Sequence, residues 1–408
     1  MHHLDFVLIA ALAFFFGLVS KRIQKTPLTL PICALLIGLA VGPLGLDVSH
    51  LDLEHLEGGN EVVRLLAEFT LALVLFYDAS RIDLSRLRTH LRLPVRLLGP
   101  GLLGTVALGF ALGVPLLGDT LGLWEIALLA ALLAPTDAAL GQAVVTQASV
   151  PLDERTALNV ESGLNDGLVV PLVAALMACS VGSGQGGGEW YTWLLHALKA
   201  IGYGVVPGIA LGYVAARMLD AAQMRGWMEA GTSQVAVAAV PVMGFFGAEM
   251  IGGSGFLAAF VAGLTVGAVR RRLPEEAFAF TESATEMLGL ATWTIFGVTA
   301  APVALECFTA EAVIYALLSL TVIRVLPVAL ALVGTGQSLA SRLFLGWFGP
   351  RGLASVVFAV SVLDEPEIQG RVELFGIAVW TVLLSIVLHG MTAGWLARRY
   401  GEAALRGS

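Results

Sequence analysis

The chain has 408 residues and a formal net charge of −8 at pH 7, and 57% of its residues are hydrophobic whereas only 13% are charged. Soluble domains carry about 25% charged residues, so this composition excludes an ordinary soluble protein, and the acidic balance argues against nucleic-acid binding. The three cysteines are widely separated, so the sequence predicts neither a disulfide framework nor a cysteine metal cluster.

Apolar runs of about 20 residues, the length that crosses the ~30 Å hydrocarbon layer, recur along the whole chain. We predict an all-α polytopic membrane protein with thirteen transmembrane helices, at residues 4–20, 28–46, 61–80, 93–117, 124–145, 156–178, 191–216, 228–247, 254–269, 283–304, 310–333, 342–363 and 371–396. Because the connections are short, residues 1–408 are expected to form a single transmembrane unit with no C-terminal regulatory domain. Lys and Arg concentrate in alternate connections, which predicts an N-terminus outside the cell and a cytoplasmic C-terminus.

An acidic residue, Asp78, stands at the end of the third predicted span, in "LFYDASRIDL". The predicted orientation places this acid at the cytoplasmic side of the membrane. Two interpretations remain open: Asp78 lines an inner funnel that leads to a site, or it is an ordinary interfacial acid.

The fifth predicted span contains Pro135, Thr136 and Asp137 near its middle. Proline removes a backbone donor and clashes with the preceding turn, so the helix is expected to kink or unwind there. Unwound backbone at membrane depth is stable only where it is buried in protein or lines an aqueous cavity. Proline is also common in transmembrane helices, so one such break does not identify a site by itself.

The sixth predicted span contains "VESGLNDGLVVPLV", with Glu161, Ser162, Asn165 and Asp166. Residues four apart share a helix face, so Ser162 and Asp166 line one stripe and Glu161 and Asn165 line the stripe beside it. An acid at the centre of a bilayer costs at least about 2.5–3.5 kcal/mol, which makes Asp166 a functional candidate. A carboxylate at that depth can hold either a proton or a small cation, which is the minimum machinery of a proton-coupled exchanger.

Arg324 lies inside the eleventh predicted span, at nearly the depth of Glu161. Counted from the cytoplasmic helix ends at 1.5 Å per residue, the two depths differ by about 6 Å. We predict a buried Glu161–Arg324 ion pair, because intramembrane charges usually need a partner, and we expect a structural role for it rather than direct transport. Other polar residues of the spans are interpreted as ordinary helix-end or snorkelling residues, namely Lys199, Glu249, Glu282, Glu286 and His389.

The twelfth predicted span contains a second break, Gly349-Pro350-Arg351-Gly352. By the loop assignment this helix runs opposite to the fifth, so the two discontinuous helices have inverted orientations. Such a pair indicates inverted repeats and an alternating-access transporter whose site lies at the breaks. The half-helix ends offer partial charges to an ion, and Arg351 could offset the carbonyl ends.

Several motifs, in order and over nearly the whole chain, resemble one known family: "APTDAALGQAVV", "NVESGLNDGLVVPLV", "GGSGFLAAFVAGLTVG", "TVIRVLPV", "GWFGPRGLASVV" and "LHGMTAGWLARRYG". They resemble the sodium/proton exchanger family, the monovalent cation:proton antiporter-1 group, in its prokaryotic branch. The resemblance implies an antiporter rather than an enzyme. Its cargo would be H⁺ and a monovalent cation, with Na⁺ favoured over K⁺ or Li⁺. It also implies a location in the inner (cytoplasmic) membrane of the cell, a role in pH homeostasis, and no cofactor beyond the transported ions.

The same resemblance implies an organisation for the chain. It implies a homodimer whose interface part comprises residues 1–80 and 228–304. An ion-transporting core would comprise residues 93–178 and 310–396 and would move as an elevator. Residues 191–216 would form the helix that links the two parts.

Matching positions in the family motifs imply roles for individual residues. Asp166 is implied to be the aspartate for which the cation and the proton compete, with Asp137, Ser162 and Thr136 completing the coordination. Asn165 stands where electrogenic relatives have a second aspartate, which implies electroneutral exchange.

Glu161 and Arg324 match the buried core ion pair of the family, and Arg351 matches the arginine of the twelfth-span motif. The chain departs from the usual pattern at Pro135, which precedes Asp137 where the family usually has proline after the aspartate. This departure leaves the local coordination open, and weaker similarity around the third span leaves the role of its acid open as well.

Two other classes of protein remain as alternatives. An intramembrane aspartyl protease also needs two aspartates on neighbouring helices, and the stretches ending in Asp78 and Asp166 loosely resemble its motifs. However, the second stretch has Asn165 where that family has glycine, and thirteen spans are too many. A cation channel would need a continuous pore rather than a gated central acid, and a saturable, proton-dependent flux would distinguish the two.

Overall fold

The structure is a computed structural model that describes residues 3–23, 29–45, 61–82, 92–137, 140, 144, 147–184 and 190–407. Every regular element in these ranges is helical, which confirms the predicted all-α class. The helices are α1 (His3–Ile23), α2 (Leu30–Val41), α3 (Glu61–Ser80), α4 (Arg92–Leu117), α5 (Leu123–Leu132), α6 (Leu152–Gly184), α7 (Trp190–Met224), α8 (Ala230–Glu249), α9 (Gly255–Val269), α10 (Ala279–Glu306), α11 (Ala310–Leu320), α12 (Val322–Ala331), α13 (Leu339–Trp347), α14 (Leu353–Leu363) and α15 (Arg371–Gly407).

Seven helical segments among the described residues are long and apolar enough to cross a membrane. They are Arg92–Leu117, Leu152–Gly182, Ala197–Met224, Ala230–Glu249, Glu275–Glu306, Ala310–Ala331 and Arg371–Ala404. Shorter apolar helices accompany them, α5, α9 and α14 among them. These features agree with a polytopic membrane fold, whereas the count of thirteen spans and the orientation of the termini stay predictions.

The chain divides into two compact units, the first comprising Met1–Arg64, Leu91–Asn165 and Gly289–Ser408 and the second comprising Leu65–His90 and Asp166–Leu288. In the first unit, α4 packs against α5, α11 and α12, and α15 packs against α11 and α14. In the second unit, α9 packs against both α7 and α8. The predicted division into an interface part and a transporting core stays a prediction.

The first unit has an apolar core in which Leu97, Val328, Leu332 and Leu345 are fully or almost fully buried. Leu97 opens a π-helical turn in α4 that contains Pro100. Proline has no N–H to donate to the preceding turn, so the regular hydrogen-bond ladder cannot continue through this position, and the wider turn absorbs the defect.

Glycines bring α7 and α9 together in the second unit. Gly204, Gly208 and Gly212 stand four residues apart, so they form one stripe along α7. A methyl group built on Gly208 would lie 2.8 Å from the carbonyl oxygen of Ala258, and one on Gly212 would lie 2.6 Å from that of Ala262. These distances are too short for any side chain, so the two helix backbones touch directly.

Regular helix stops at both proline-containing motifs. α5 ends at Leu132 and residues 133–137 are not helical, while α13 ends at Trp347 and α14 begins only at Leu353. A further irregularity separates α11 from α12 at Thr321, where φ is −117° and ψ is −94°. The sequence analysis predicted residues 310–333 as one uninterrupted helix, because neither proline nor glycine marks this position.

Candidate functional site

Within the first unit, the non-helical segment after α5 contacts the segment between α13 and α14 through Asp137. The backbone N–H of Asp137 donates to the carbonyl oxygen of Pro350 at 2.8 Å. Its carboxylate accepts from the N–H of Leu353 at 3.1 Å and from the N–H of Leu140 at 3.1 Å. The first N–H groups of a helix have no partner within the helix, so the Asp137 carboxylate caps the start of α14.

Gly352 makes this close approach possible. A Cβ atom at position 352 would lie 1.9 Å from Oδ2 and 2.2 Å from Cβ of Asp137. The backbone of Gly352 has φ of −141°, an extended value that other residues adopt as well. Space beside the carboxylate, rather than backbone conformation, therefore restricts this position to glycine.

Arg351 satisfies the carbonyl ends that the two irregular segments expose. Its Nη1 donates to the carbonyl oxygens of Ala134 at 2.8 Å and Pro135 at 3.3 Å, and its Nη2 donates to that of Ser319 at 3.2 Å. The side chain is fully buried. Helix C-termini carry partial negative charge, so the guanidinium is electrostatically favourable at this junction. The Ser319 carbonyl lies two residues before the irregular turn that divides α11 from α12.

Hydroxyl and amide groups of α6 meet the same segment. The side-chain amide of Asn165 donates to Oγ1 of Thr136 at 2.6 Å, and this hydroxyl lies 3.3 Å from Oγ of Ser162. Thr136 and Asn165 are each 1% exposed. Asp166 follows Asn165 directly, one helical turn beyond Ser162, and is partly exposed. The structure therefore groups three of the predicted site residues, and the predicted ion-binding acid, Asp166, follows Asn165 in the sequence of α6.

The predicted partners Glu161 and Arg324 are in contact. Nη2 of Arg324 donates to Oε1 of Glu161, and each side chain is 1% exposed. Within the part of the chain that the structure describes, Oε2 of Glu161 and Nε and Nη1 of Arg324 have no hydrogen-bond partner. The pair is thus buried and only partly satisfied, and its role in the protein stays a prediction.

Asp78 lies on α3, two residues before the end of that helix, and is partly buried. Its side chain belongs to the second unit. Its role, as a residue of an inner funnel or as an interfacial acid, stays a prediction.

Sequence reasoning missed three polar residues that stabilise the irregular segments. Ser355 donates from Oγ to the carbonyl oxygen of Leu132, the last residue of α5, at 2.7 Å. Ser385 and His389 lie on α15 and contact the segment between α13 and α14. The interpretation of His389 as an ordinary helix-end or snorkelling residue is wrong, because its side chain is 1% exposed and both ring nitrogens have partners. The four-residue spacing of Ser385 and His389 in an apolar helix was the available signal.

A family model described as the transmembrane sodium/hydrogen exchanger matches residues 9–399. The Na⁺/H⁺ antiporter NhaS2 of Synechocystis sp. is 24% identical over 362 residues, which cover 82% of this chain and 62% of that protein. The K⁺/H⁺ antiporter NhaP of Alkalimonas amylolytica is 24% identical over 388 residues, which cover 93% of this chain and 63% of that protein. This chain therefore spans less than two thirds of the length of these relatives.

A solved structure is also similar along its whole length. The sodium proton antiporter MjNhaP1 from Methanocaldococcus jannaschii superposes with a TM-score of 0.76 at 19% sequence identity. The match covers 98% of this chain and 99% of the other. At this level of identity, the similarity establishes a shared fold.

Proposed function

The chain belongs to the sodium/hydrogen exchanger family, a family of multi-pass membrane transporters, and from this premise we propose that it exchanges a monovalent cation for a proton. We propose Asp166 as the residue for which the two ions compete. Ser162, Thr136 and Asp137 are proposed to supply further oxygen ligands, and Asn165 to hold Thr136 in place. The transported cation and proton are the cargo, and no resident cofactor has a part in this mechanism.

One observation carries the proposal: two interrupted helices meet at a buried polar junction, and the helix that bears Asp166 joins it. Unwound backbone at membrane depth requires such burial or an aqueous cavity. Asn165 and Ser162 on α6 contact Thr136 in the unwound segment after α5. The side chain one turn beyond Ser162 is that of Asp166. Broken helices with inverted orientations mark the binding site in many secondary transporters.

The proposed cycle uses one carboxyl group as a switch. Deprotonated Asp166 binds the cation, release of the cation admits the proton, and only the neutralised site crosses the membrane. A charge moved uncompensated through the hydrocarbon layer costs several kcal/mol, so the empty, ionised site is the state that cannot cross. This restriction couples the movement of the cation to that of the proton.

Fixed charges at the junction support this assignment of roles. The Asp137 carboxylate already accepts two backbone N–H bonds, and Arg351 already donates to three carbonyl oxygens. These two residues hold the ends of the broken helices together, which leaves proton exchange to Asp166. We propose the same structural role for the buried Glu161–Arg324 pair.

Asn165 supports electroneutral exchange. An amide at this position adds no titratable charge beside Asp166, so one cation or one proton is enough to neutralise the carboxylate for which the two ions compete. The transport rate in proteoliposomes should therefore not change when a potassium-valinomycin diffusion potential is imposed with a cation other than K⁺ as substrate. A clear dependence on the potential would contradict this role.

We further propose that alternating access follows the family's elevator mode in a homodimer in the inner membrane. Residues 93–178 and 310–396 would form the moving core, and residues 1–80 and 228–304 the interface. Residues 191–216, which lie within α7, would link them. The likeness to the MjNhaP1 fold over 98% of this chain supports this organisation.

Na⁺ is the cation we favour, with K⁺ as the second candidate and Li⁺ as the third. The relatives differ on this point, since one is named a Na⁺/H⁺ antiporter and another a K⁺/H⁺ antiporter. The same oxygen ligands can hold each of these ions. A panel of chloride salts of Na⁺, K⁺ and Li⁺ on purified protein in proteoliposomes, at several pH values, would decide between them.

The decisive test replaces Asp166 with asparagine. Cation-induced dequenching of a pH-sensitive dye in proteoliposomes should be present for the wild type and absent for Asp166→Asn. The matched control is Asp153→Asn, an exposed acid in the first turn of the same helix, which should transport at the wild-type rate. Persisting exchange in a folded Asp166→Asn protein would refute the mechanism.

The competing classes of function are not supported. The family is one of transporters, which leaves an intramembrane protease without support. A channel would pass cations down their gradient without saturation and without counter-movement of protons. The same proteoliposome assay distinguishes a channel from an antiporter. A channel would not change the pH of the lumen in fixed proportion to the amount of cation transported.

A further inference from the structure

Two polar side chains of α15 hold both sides of the gap between α13 and α14. Nε2 of His389 lies 3.0 Å from the carbonyl oxygen of Trp347, the last residue of α13. A carbonyl oxygen can only accept, so Nε2 carries a proton and donates to it. Carbonyl groups at a helix C-terminus have no partner within the helix, and the imidazole therefore caps the end of α13.

Ser385 holds the other side. The backbone N–H of Arg351 donates to Oγ of Ser385 at 2.7 Å. Nδ1 of His389 lies 3.2 Å from the same hydroxyl and 3.1 Å from the carbonyl oxygen of Ser385, one helical turn away. Ser385 is 0% exposed and His389 is 1% exposed. The two side chains thus form one hydrogen-bonded pair on a continuous helix. This pair binds the broken helix at two backbone groups, the carbonyl of Trp347 and the N–H of Arg351.

Further hydrogen bonds connect this segment of the broken helix to the candidate site. Arg351, whose N–H is held by Ser385, donates from its guanidinium to the carbonyl of Pro135. The carbonyl of Pro350 accepts the backbone N–H of Asp137. A displacement of the Trp347–Arg351 segment would therefore displace the backbone on both sides of Thr136.

We propose that Ser385 and His389 are positioning residues that set the geometry of the cation site by fixing the gap between α13 and α14. This inference rests on the proposed antiport. Neither residue contacts the cation in this account. Each acts through the backbone of the broken helix, so the loss of either should weaken cation binding in a protein that still folds.

Two neighbouring threonines of α15 separate this role from general packing. Thr381 is fully buried, and its hydroxyl donates to the carbonyl of Ile377 in the same helix. Thr392 accepts from the indole Nε1 of Trp347 at 3.2 Å, which involves the side chain of that residue and not its backbone. Thr381→Val and Thr392→Val therefore remove hydroxyls from α15, one fully buried and one partly buried, without loosening the gap.

The test measures the KM for Na⁺ and the maximal rate in proteoliposomes, together with the thermal stability of the purified protein. Ser385→Ala and His389→Ala should each raise KM about fivefold, the factor expected for one lost hydrogen bond. The double variant should be little worse than either single one, because the two side chains act as a unit. Ser385→Thr, which keeps the hydroxyl, and His389→Gln, which keeps an N–H near Nε2, should restore much of the affinity.

The outcomes separate the alternatives. Wild-type KM values in the two alanine variants would overturn the proposal, and so would equal increases in Thr381→Val and Thr392→Val. If the alanine variants are not recovered as folded protein, His389→Gln is compared with the shorter His389→Asn. A raised KM in the asparagine variant alone supports the proposal, and equal KM values overturn it.

A binding readout keeps this inference distinct from the proposed function. The Na⁺ concentration that gives half of the maximal thermal stabilisation reports cation binding without transport. Absence of exchange in the wild type would defeat the proposed antiport, whereas an unchanged half-stabilising concentration in Ser385→Ala would defeat the positioning role.

Discussion

Replacing one member of the Glu161–Arg324 pair should leave the other charge stranded in the protein interior. Both side chains are 1% exposed, so water cannot solvate the remaining group. Removal of one partner of a buried ion pair typically costs about 3–5 kcal/mol. The unpartnered atoms of the pair, Oε2 of Glu161 and Nε and Nη1 of Arg324 among the described residues, offer no second contact that would compensate. We therefore expect Glu161→Met and Arg324→Met each to destabilise within this range.

Replacing both members should be far less harmful. Two methionines fill a similar volume without charge, and such replacements of buried pairs are often neutral or stabilising. The double variant should therefore lie within about 1 kcal/mol of the wild type, which makes the coupling energy of the cycle several kcal/mol. The space around residue 324 is limited, because the side chain of Arg324 packs against Gly349, where a Cβ atom would lie 2.5 Å from Nε of Arg324. A flexible, unbranched methionine is therefore the suitable substitute.

The measurement is the free energy of unfolding in mixed detergent micelles, obtained by titration with a denaturing detergent. It is made on the wild type, the two single variants and the double variant. Transport by the double variant tells in addition whether the pair has a function beyond stability. Equal destabilisation by the two single variants and the double variant would refute the reasoning, because removal of the second charge would then relieve no cost and the remaining charge could not have been stranded.

Two further predictions concern the first unit. Gly352→Ala should abolish or severely impair folding and transport, because the new methyl group would lie 1.9 Å from Oδ2 of Asp137, whereas the control Gly394→Ala meets no atom within 4 Å and should fold normally; recovery of a stable, active Gly352→Ala protein would contradict this account of the junction. Burial raises the pKa of the Asp364 carboxyl, which lies in the connection before α15, and the positive charge of Arg64 opposes that rise. A folded-state pKa above the unfolded value contributes stability at low pH that is lost as the pH rises through the folded pKa. In melting curves between about pH 3 and 8, Arg64→Gln should enlarge this loss and Asp364→Asn should remove it, and parallel curves for all three proteins would argue against the assignment.

Much of the junction could be predicted from sequence because proline has a strong and local effect. Pro135 and Pro350 each predicted an interruption, and regular helix stops beside both residues. The contact between Glu161 and Arg324 could be predicted because a buried charge needs an opposite charge at its own depth. These arguments use only the span limits and the rise per residue of a helix.

Other features depend on packing that sequence does not display. No proline or glycine at Thr321 indicates the irregular turn in the sequence. In the structure, Arg351 donates to the carbonyl of Ser319 beside this turn, a contact that the sequence does not predict. His389 was misjudged because the four-residue spacing from Ser385 indicates a shared helix face but not the backbone groups that the two side chains contact. Helix ends were also inexact, since the span predicted at residues 156–178 belongs to the longer helix Leu152–Gly184.

The glycine stripe on α7 has a mechanical consequence. Because the backbones of α7 and α9 are in direct contact, no side-chain rotamer can change to allow one helix to slide along the other. The two helices should therefore move as one rigid body. If the core moves as proposed, the α7–α9 pair would remain fixed with the dimer-interface part. Bending would then concentrate at the ends of α7, where amide hydrogen exchange should be fastest.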